Sequence, residues 1–337
     1  MAAWLARSPR ARYAGGPMVQ LTLPFPGQPY ALIQREGEGA PGDIDRPWLL
    51  AMLKAHGALL IRGFAPSLEG FDALTAPMLS GTVFNESPDR LLLDPAANIQ
   101  SVNGGADAFP LHPELSREPW KPDACFFHCL TPPEDEGGET TICDGVALAR
   151  ALPQALYAAL ERRRLVYLLP APPWQLEHWF GTAQPSTTML DNPPATCPYA
   201  FPRIRGQVAR AFSRPVLHRT LFGQERAFGN FLLFAKDYLG RDGFPLLDDG
   251  SPFPDAWLSI IRAQAAHLTV AVRWQAGDIL MLDNSRFMHG RNAIQDPGRR
   301  LIASCFGYLA QVERDPEGPQ LQPWRHGVFR PPAPPTA

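Results

Sequence analysis

The chain carries metal-ligand chemistry in two short segments that lie more than half its length apart, and any fold it adopts must decide whether they meet. The first is Phe109-Pro-Leu-His112-Pro-Glu114; the second, Leu282-Asp283-Asn284-Ser285-Arg286-Phe287-Met288-His289-Gly290-Arg291, holds His289. In an extended segment, side chains at i and i+2 leave the same face, so the His112 imidazole and the Glu114 carboxylate are expected to converge. Two imidazoles and one carboxylate leave three positions of an octahedral ion open, the facial set that suits non-haem Fe(II). A lone histidine is more often a surface or hydrogen-bonded core residue, so the case rests on the two contexts together. His128 follows two phenylalanines and is read as a wall residue, while His56, His178, His218, His267 and His326 default to structural roles.

With 337 residues, 45% of them hydrophobic, the chain can bury a substantial core. A net charge of −2 supplies no basic field for nucleic acid or an anionic membrane. Small-molecule partners are expected instead. Apolar runs such as Ala58-Leu-Leu-Ile61 are far shorter than the roughly 20 residues of a membrane span. Five cysteines, an odd number in a large chain without a secretory signal, point to reduced thiols and a cytoplasmic setting. Cys125 and Cys129 have no second pair to complete a zinc site and are read as packing residues.

Residues 1–18, with arginines and no acid, are expected to form a flexible N-terminal tail, with Met18 an alternative start. The proline-rich stretch 326–337 is expected to be a second tail, leaving 19–325 as a single domain. Asp45 with Pro47 and Gly57 frames a helix over 47–56, and Ala58–Phe64 reads as a buried strand. Helices are expected from Ser67 to Met78, from Asp144 to Arg150, from Pro153 to Arg163, from Gln224 to Leu239 and from Pro254 to His267. Strands are expected at Leu165–Leu169, Thr269–Trp274, Ile279–Leu282 and Arg300–Leu309. Between Trp174 and Phe212 no period is legible, and the aromatic content suggests an ordered, lid-like insertion around 174–250. Distant ligand-bearing strands with flanking helices, and no regular βαβ alternation or GxGxxG, suit a mixed β fold around a double-stranded β-helix, a distorted jelly roll.

Taken in order, Asn103, His112-Pro-Glu114, Phe126-Phe127, Gly137-Gly138-Glu139-Thr140 with Asp144, Trp274 with Gly277-Asp278, Asp283-Asn284, His289-Gly290-Arg291 and Arg299-Arg300 resemble the TauD/TfdA family of Fe(II)- and 2-oxoglutarate-dependent oxygenases. The resemblance runs from about residue 55 to 310. The glutamate of the HxE element and the GGET sequence are most similar to the clavaminate-synthase and SyrP-like branch, which acts on amino acids and related metabolites in specialised metabolism.

That resemblance implies that His112, Glu114 and His289 are the iron ligands and catalytic centre, and that Thr140 and Arg300 hold the distal carboxylate of 2-oxoglutarate. A planar, permanently charged guanidinium fits that demand. Successive strand residues face opposite ways, so only one of Arg299 and Arg300 can point inward. In taurine dioxygenase a second arginine, four residues on, binds sulfonate; Ser304 stands there in this chain, which argues against a sulfonate substrate. Arg286 and Arg291, with Arg203 and Arg205 behind them, are candidates for a substrate carboxylate. Asp283 and Asn284 are expected to orient the His289 loop. The reaction implied consumes O2 and 2-oxoglutarate, releases succinate and CO2, and hydroxylates an unactivated C–H of a free or carrier-tethered amino acid or related metabolite. Glu114 disfavours halogenation; desaturation and cyclisation start from the same hydrogen abstraction. The rival readings are a non-catalytic jelly-roll binding protein and a zinc hydrolase. A hydrolase leaves Thr140 and Arg300 unexplained, and a dead binder would be expected to have lost a ligand.

Overall fold

The structure, a computed structural model, describes residues 10–11, 18–133 and 137–334. Most of the stretch read as an N-terminal tail lies outside the described residues; Arg10–Ala11 pair antiparallel with Val19 and Gln20.

Among the described residues the strands form four sheets, two of which position the candidate ligands. The larger sheet runs, in spatial order, Arg10–Ala11, Met18–Thr22, Ala31–Glu36, Ala58–Arg62, Ile279–Asp283, Ala124–Thr131, Leu301–Leu309, Leu79–Val83 and Gly327–Phe329, with Ile99–Ser101 also pairing with Leu301–Leu309 and Leu92–Asp94 pairing with Ile99–Ser101. The smaller one is wholly antiparallel: Val270–Val272, Thr140–Asp144, Phe287–Arg291, Phe109–His112. The strands of the large sheet's centre are mostly apolar because both faces are covered. On one face Ala58, Leu60, Leu280, Leu282, Phe127 and Phe306 join a cluster with Ile142, Val272 and Met288 of the small sheet. On the other, Leu59, Ile61, Ile279, Met281 and Phe126 pack with Leu49 and Leu53 of helix Arg46–His56 and with Phe71 and Leu74 of helix Leu68–Thr75.

The helix starts follow their caps. The side chains of Asp45, Ser67 and Asp144 accept from backbone N–H groups of the first turn, and Gly57 ends the first helix with φ of 75°. Two expectations change. The stretch 174–212 contains regular elements: helices Pro173–Phe180 and Thr187–Asp191 lead to strand Gln207–Pro215, which pairs with Arg164–Pro170. Short elements broken by prolines carry too few turns to show a period. The helix expected over 224–239 spans only Leu232–Asp237, because Arg226–Ala227 pair with His218–Arg219 and Asn230 turns the chain, bonding Val216 O and the Leu232 N–H. The proline-rich end contributes strand Gly327–Phe329, parallel to Leu79–Val83. Gly81 allows that approach: a Cβ there would lie 2.6 Å from Gly327 O and 2.7 Å from Arg325 O.

Candidate active site

His112 and His289 are direct partners across two strands of the small sheet, and their ring centroids are 4.6 Å apart. Gly290, the residue between His289 and Arg291, permits this contact: a Cβ on it would meet Phe109 O at 2.5 Å and Thr141 Oγ1 at 2.8 Å. Glu114 arrives differently from the simple alternation expected of a strand. The strand ends at His112, Pro113 has no N–H to extend it, and Glu114 opens a turn whose next residue, Leu115, has φ of 49°. Asn284 fixes that turn: its Oδ1 accepts from Glu114 N–H (2.8 Å) and its Nδ2 donates to Glu114 O (3.0 Å) and Pro122 O (2.9 Å). The orienting role expected of Asn284 is thus exerted on the glutamate, while Asp283 accepts from the Ser285 N–H and hydroxyl.

The potential ligand atoms of His112, Glu114 and His289 lie within 4.8 Å of one another, so one metal ion can be held between them. His112 Nδ1 is 2.8 Å from Pro110 O. A carbonyl only accepts, so that nitrogen carries the proton and Nε2 keeps its lone pair. Burial, then His289, lowers the His112 pKa to about 4, which keeps the ring neutral as a ligand must be. Nε2 of His289 is 3.6 Å from Glu114 Oε2, and its buried Nδ1 has no partner. For Glu114, burial is the largest influence and pushes the carboxyl up; Arg90 and the two histidines outweigh it and hold it at about 2. An ionised carboxylate beside two imidazoles is the donor set an Fe(II) ion takes.

Two residues around Glu114 carried no signal in the sequence. Asn85 donates from Nδ2 to Glu114 Oε1 at 2.6 Å, and Arg90 Nη2 lies 3.4 Å from Oε2. Arg90 also donates to Asn103 Oδ1 (2.8 Å) and Ser304 Oγ (3.2 Å). A guanidinium therefore reaches the side chain of Ser304 from another part of the chain.

The three groups open on a cavity of about 570 Å³ whose walls include Phe109, Phe127, Phe231, Phe234, Tyr238 and Trp174. Arg300 and Thr140 line it as well: Arg300 Nη2 is 3.5 Å from Thr140 Oγ1, which also accepts from Trp274 Nε1 at 3.1 Å. Burial and then Arg291 lower the Arg300 pKa to about 10, and its buried Nε has no partner. A desolvated, under-bonded guanidinium in a cavity has donors to offer an anion. Arg299 faces outward to Asp296, 3.6 Å away. Arg291 also lines the cavity, but its guanidinium donates to the carbonyls of Asn103, Gly105 and Asp107. Arg286, the other candidate for a substrate carboxylate, is not among the lining residues: its guanidinium is bonded to Asp144 (2.7 Å), the cap of the next helix. Arg203 and Arg205 are exposed and lie off the cavity wall.

Over residues 28–306 the sequence matches the family described as "Taurine catabolism dioxygenase TauD, TfdA family". Among solved structures, the fold is similar to PvcB, an Fe, alpha-ketoglutarate dependent oxygenase from an isonitrile synthetic pathway; the Pseudomonas aeruginosa protein is 17% identical, with TM-score 0.55 over 91% of this chain and 94% of that one. It is also similar to a taurine dioxygenase from Burkholderia xenovorans, 16% identical with TM-score 0.57 over 89% of this chain and 92% of the other. AAD-2 in complex with Mn(II) and N-oxalylglycine is 12% identical, with TM-score 0.55 over 88% of this chain and all of the other. No curated protein matches the sequence. Among the described residues no helix is long and apolar enough to cross a membrane.

Proposed function

The chain belongs to the TauD, TfdA family, whose members are Fe(II)- and 2-oxoglutarate-dependent dioxygenases, and from that premise we propose that His112, Glu114 and His289 hold its iron, that Thr140 and Arg300 receive 2-oxoglutarate, and that its substrate is a free or carrier-tethered amino acid or related small metabolite. The observation that carries this reading is the convergence of the three ligand groups on one cavity that Arg300 also lines. The two-sheet core is read as a distorted jelly roll. The HxE element and GGET sequence support the substrate class and the clavaminate-synthase and SyrP-like branch.

Bound iron supplies dioxygen activation coupled to conversion of 2-oxoglutarate to succinate and CO2. The chain's own contribution is positional. The Pro110 carbonyl keeps the proton on Nδ1 of His112 and so leaves Nε2 free to ligate. Asn284 sets the backbone from which Glu114 projects. Arg300 offers a fixed fork to the distal carboxylate, and Trp274 holds the Thr140 hydroxyl beside it. Phe109, Phe231, Phe234, Tyr238 and Trp174 exclude bulk water from the reacting centre. Several of these walls come from 174–250, which is read as the lid. Carrier presentation and hydroxylation, as against desaturation or cyclisation, belong to the proposal.

The test is succinate formation by anaerobically purified, Fe(II)-loaded protein given 2-oxoglutarate and O2, scanned across the proteinogenic amino acids with His112→Ala as control. Succinate that rises with one amino acid and vanishes in the variant is the expected result. Failure of the wild-type protein to bind Fe(II) and 2-oxoglutarate would sink the reading.

A further inference from the structure

We propose that Asn85 and Arg90 are positioning residues that set which oxygen of Glu114 is presented to the two imidazoles. The inference rests on the ligand assignment just given. Both residues sit on the segment that follows strand Leu79–Val83, and each takes one oxygen of the same carboxylate. The short Asn85 bond, 2.6 Å, engages Oε1. Oε2, which accepts from Arg90 at 3.4 Å, is the oxygen that faces His289 Nε2, 3.6 Å away. Arg90 bounds that side, with side-chain exposures of 7% for Arg90 and 4% for Glu114.

Neither residue is free to swing. The Asn85 backbone N–H is bonded to Gln100 Oε1 and its carbonyl accepts from Gln100 Nε2, each at 2.9 Å, while its own Oδ1 accepts from the Ser87 N–H. Arg90 spends its other donors on Asn103 and Ser304 and lies over the Phe306 ring at 5.0 Å. The clamp is therefore built from the sheet outward: Gln100, Ser304 and Phe306 belong to two adjacent strands of the large sheet, and the carboxylate of the small-sheet side is held against them. A planar fork that donates to three acceptors in fixed directions is what arginine supplies and lysine cannot. Outer groups of this kind typically change metal affinity 10- to 100-fold when removed.

The experiment is an anaerobic titration of the metal-free full-length protein with Co(II), followed by the visible charge-transfer absorbance of Fe(II) with 2-oxoglutarate, for wild type, Asn85→Ala, Arg90→Lys and His112→Ala. Asn85→Ala changes no charge, and Arg90→Lys keeps the cation while losing its geometry. Both are expected to bind Co(II) about tenfold more weakly, and Asn85→Ala is expected to shift the charge-transfer band. Affinities within twofold of wild type and an unmoved band in both variants would overturn the proposal. If Arg90→Lys does not fold, as judged by its melting curve, Asn85→Ala decides alone. Equal binding by wild type and His112→Ala would instead bring down the ligand assignment, a failure distinct from that of the clamp.

Discussion

Arg300 Nη2 lies 3.5 Å from the Thr140 hydroxyl, which is held in place by the Trp274 indole. The pair joins the start of one small-sheet strand to the residue preceding a large-sheet strand, across the mouth of the sandwich. Hydrogen bonds to a charged group contribute about 1.5–3 kcal/mol. Arg300→Met is therefore expected to weaken 2-oxoglutarate binding roughly 10- to 100-fold, and Thr140→Val about fivefold. Arg299→Met, which alters an outward-facing side chain, should leave the binding curve where it was. Titration of the Fe(II) protein with 2-oxoglutarate, read by absorbance, measures all three.

In the metal-free protein Glu114 is the counter-ion of Arg90, and both are almost fully enclosed. Removing one partner of such a pair leaves a buried charge uncompensated, at a cost of about 3–5 kcal/mol. Glu114→Ala is expected to lose stability of that order in urea unfolding without metal. His112→Ala forfeits the bond to the Pro110 carbonyl and the ring contacts with Phe234 and His289 but strands no charge, and should lose less, about 1–3 kcal/mol.

His218 is buried, with Nε2 donating to Ser285 O at 2.7 Å. Burial, and then Lys121, lower its pKa to about 3. The unfolded chain takes up the proton near pH 6.5, so the stability that the neutral ring contributes is complete above that pH and is lost on acidification towards 3. His218→Gln keeps an N–H for the carbonyl and removes the titration. Between pH 6 and 4 the wild type should lose about 1.4 kcal/mol per unit more than the variant, as read by urea unfolding at each pH.

Pro331, Pro332 and Pro334 line the cavity, beyond a strand anchored by the Phe84 N–H on Phe329 O (2.9 Å) and by Arg330 over the Phe84 ring. A chain ended after Arg330 keeps those anchors and loses the wall. Its melting temperature and Fe(II)/2-oxoglutarate binding are expected to match the full-length protein, while EDTA should withdraw Co(II) from it faster. Identical extraction kinetics would show that these prolines do not restrict access.

What could be read in advance had local causes. Asp45, Ser67 and Asp144 announce their helices because a cap is a short-range bond, and Ala58–Ile61 and Ile279–Leu282 announce buried strands because both of their faces are covered. His112, Glu114 and His289 stood out through the residues around them. Asn85 and Arg90 did not, since they lie in a turn-forming run, Asn85-Glu-Ser-Pro-Asp-Arg90, of the kind that ordinarily meets solvent. Their position depends on strand Leu79–Val83 lying beside Leu301–Leu309, a pairing between residues far apart in the chain. Alternation allowed only one of Arg299 and Arg300 to point inward and the family resemblance singled out Arg300, whereas placing Arg286 on Asp144 required the register of Thr140–Asp144 against Phe287–Arg291.

Gly290 gives the metal centre a spacing element that is itself no part of the centre. Because a Cβ at this position would collide with the Phe109 carbonyl and the Thr141 hydroxyl, even one added carbon acts as a shim between the strand that ends in His112 and the strand that contains His289. A side chain at this position would therefore alter the separation of the two imidazoles while removing neither of them.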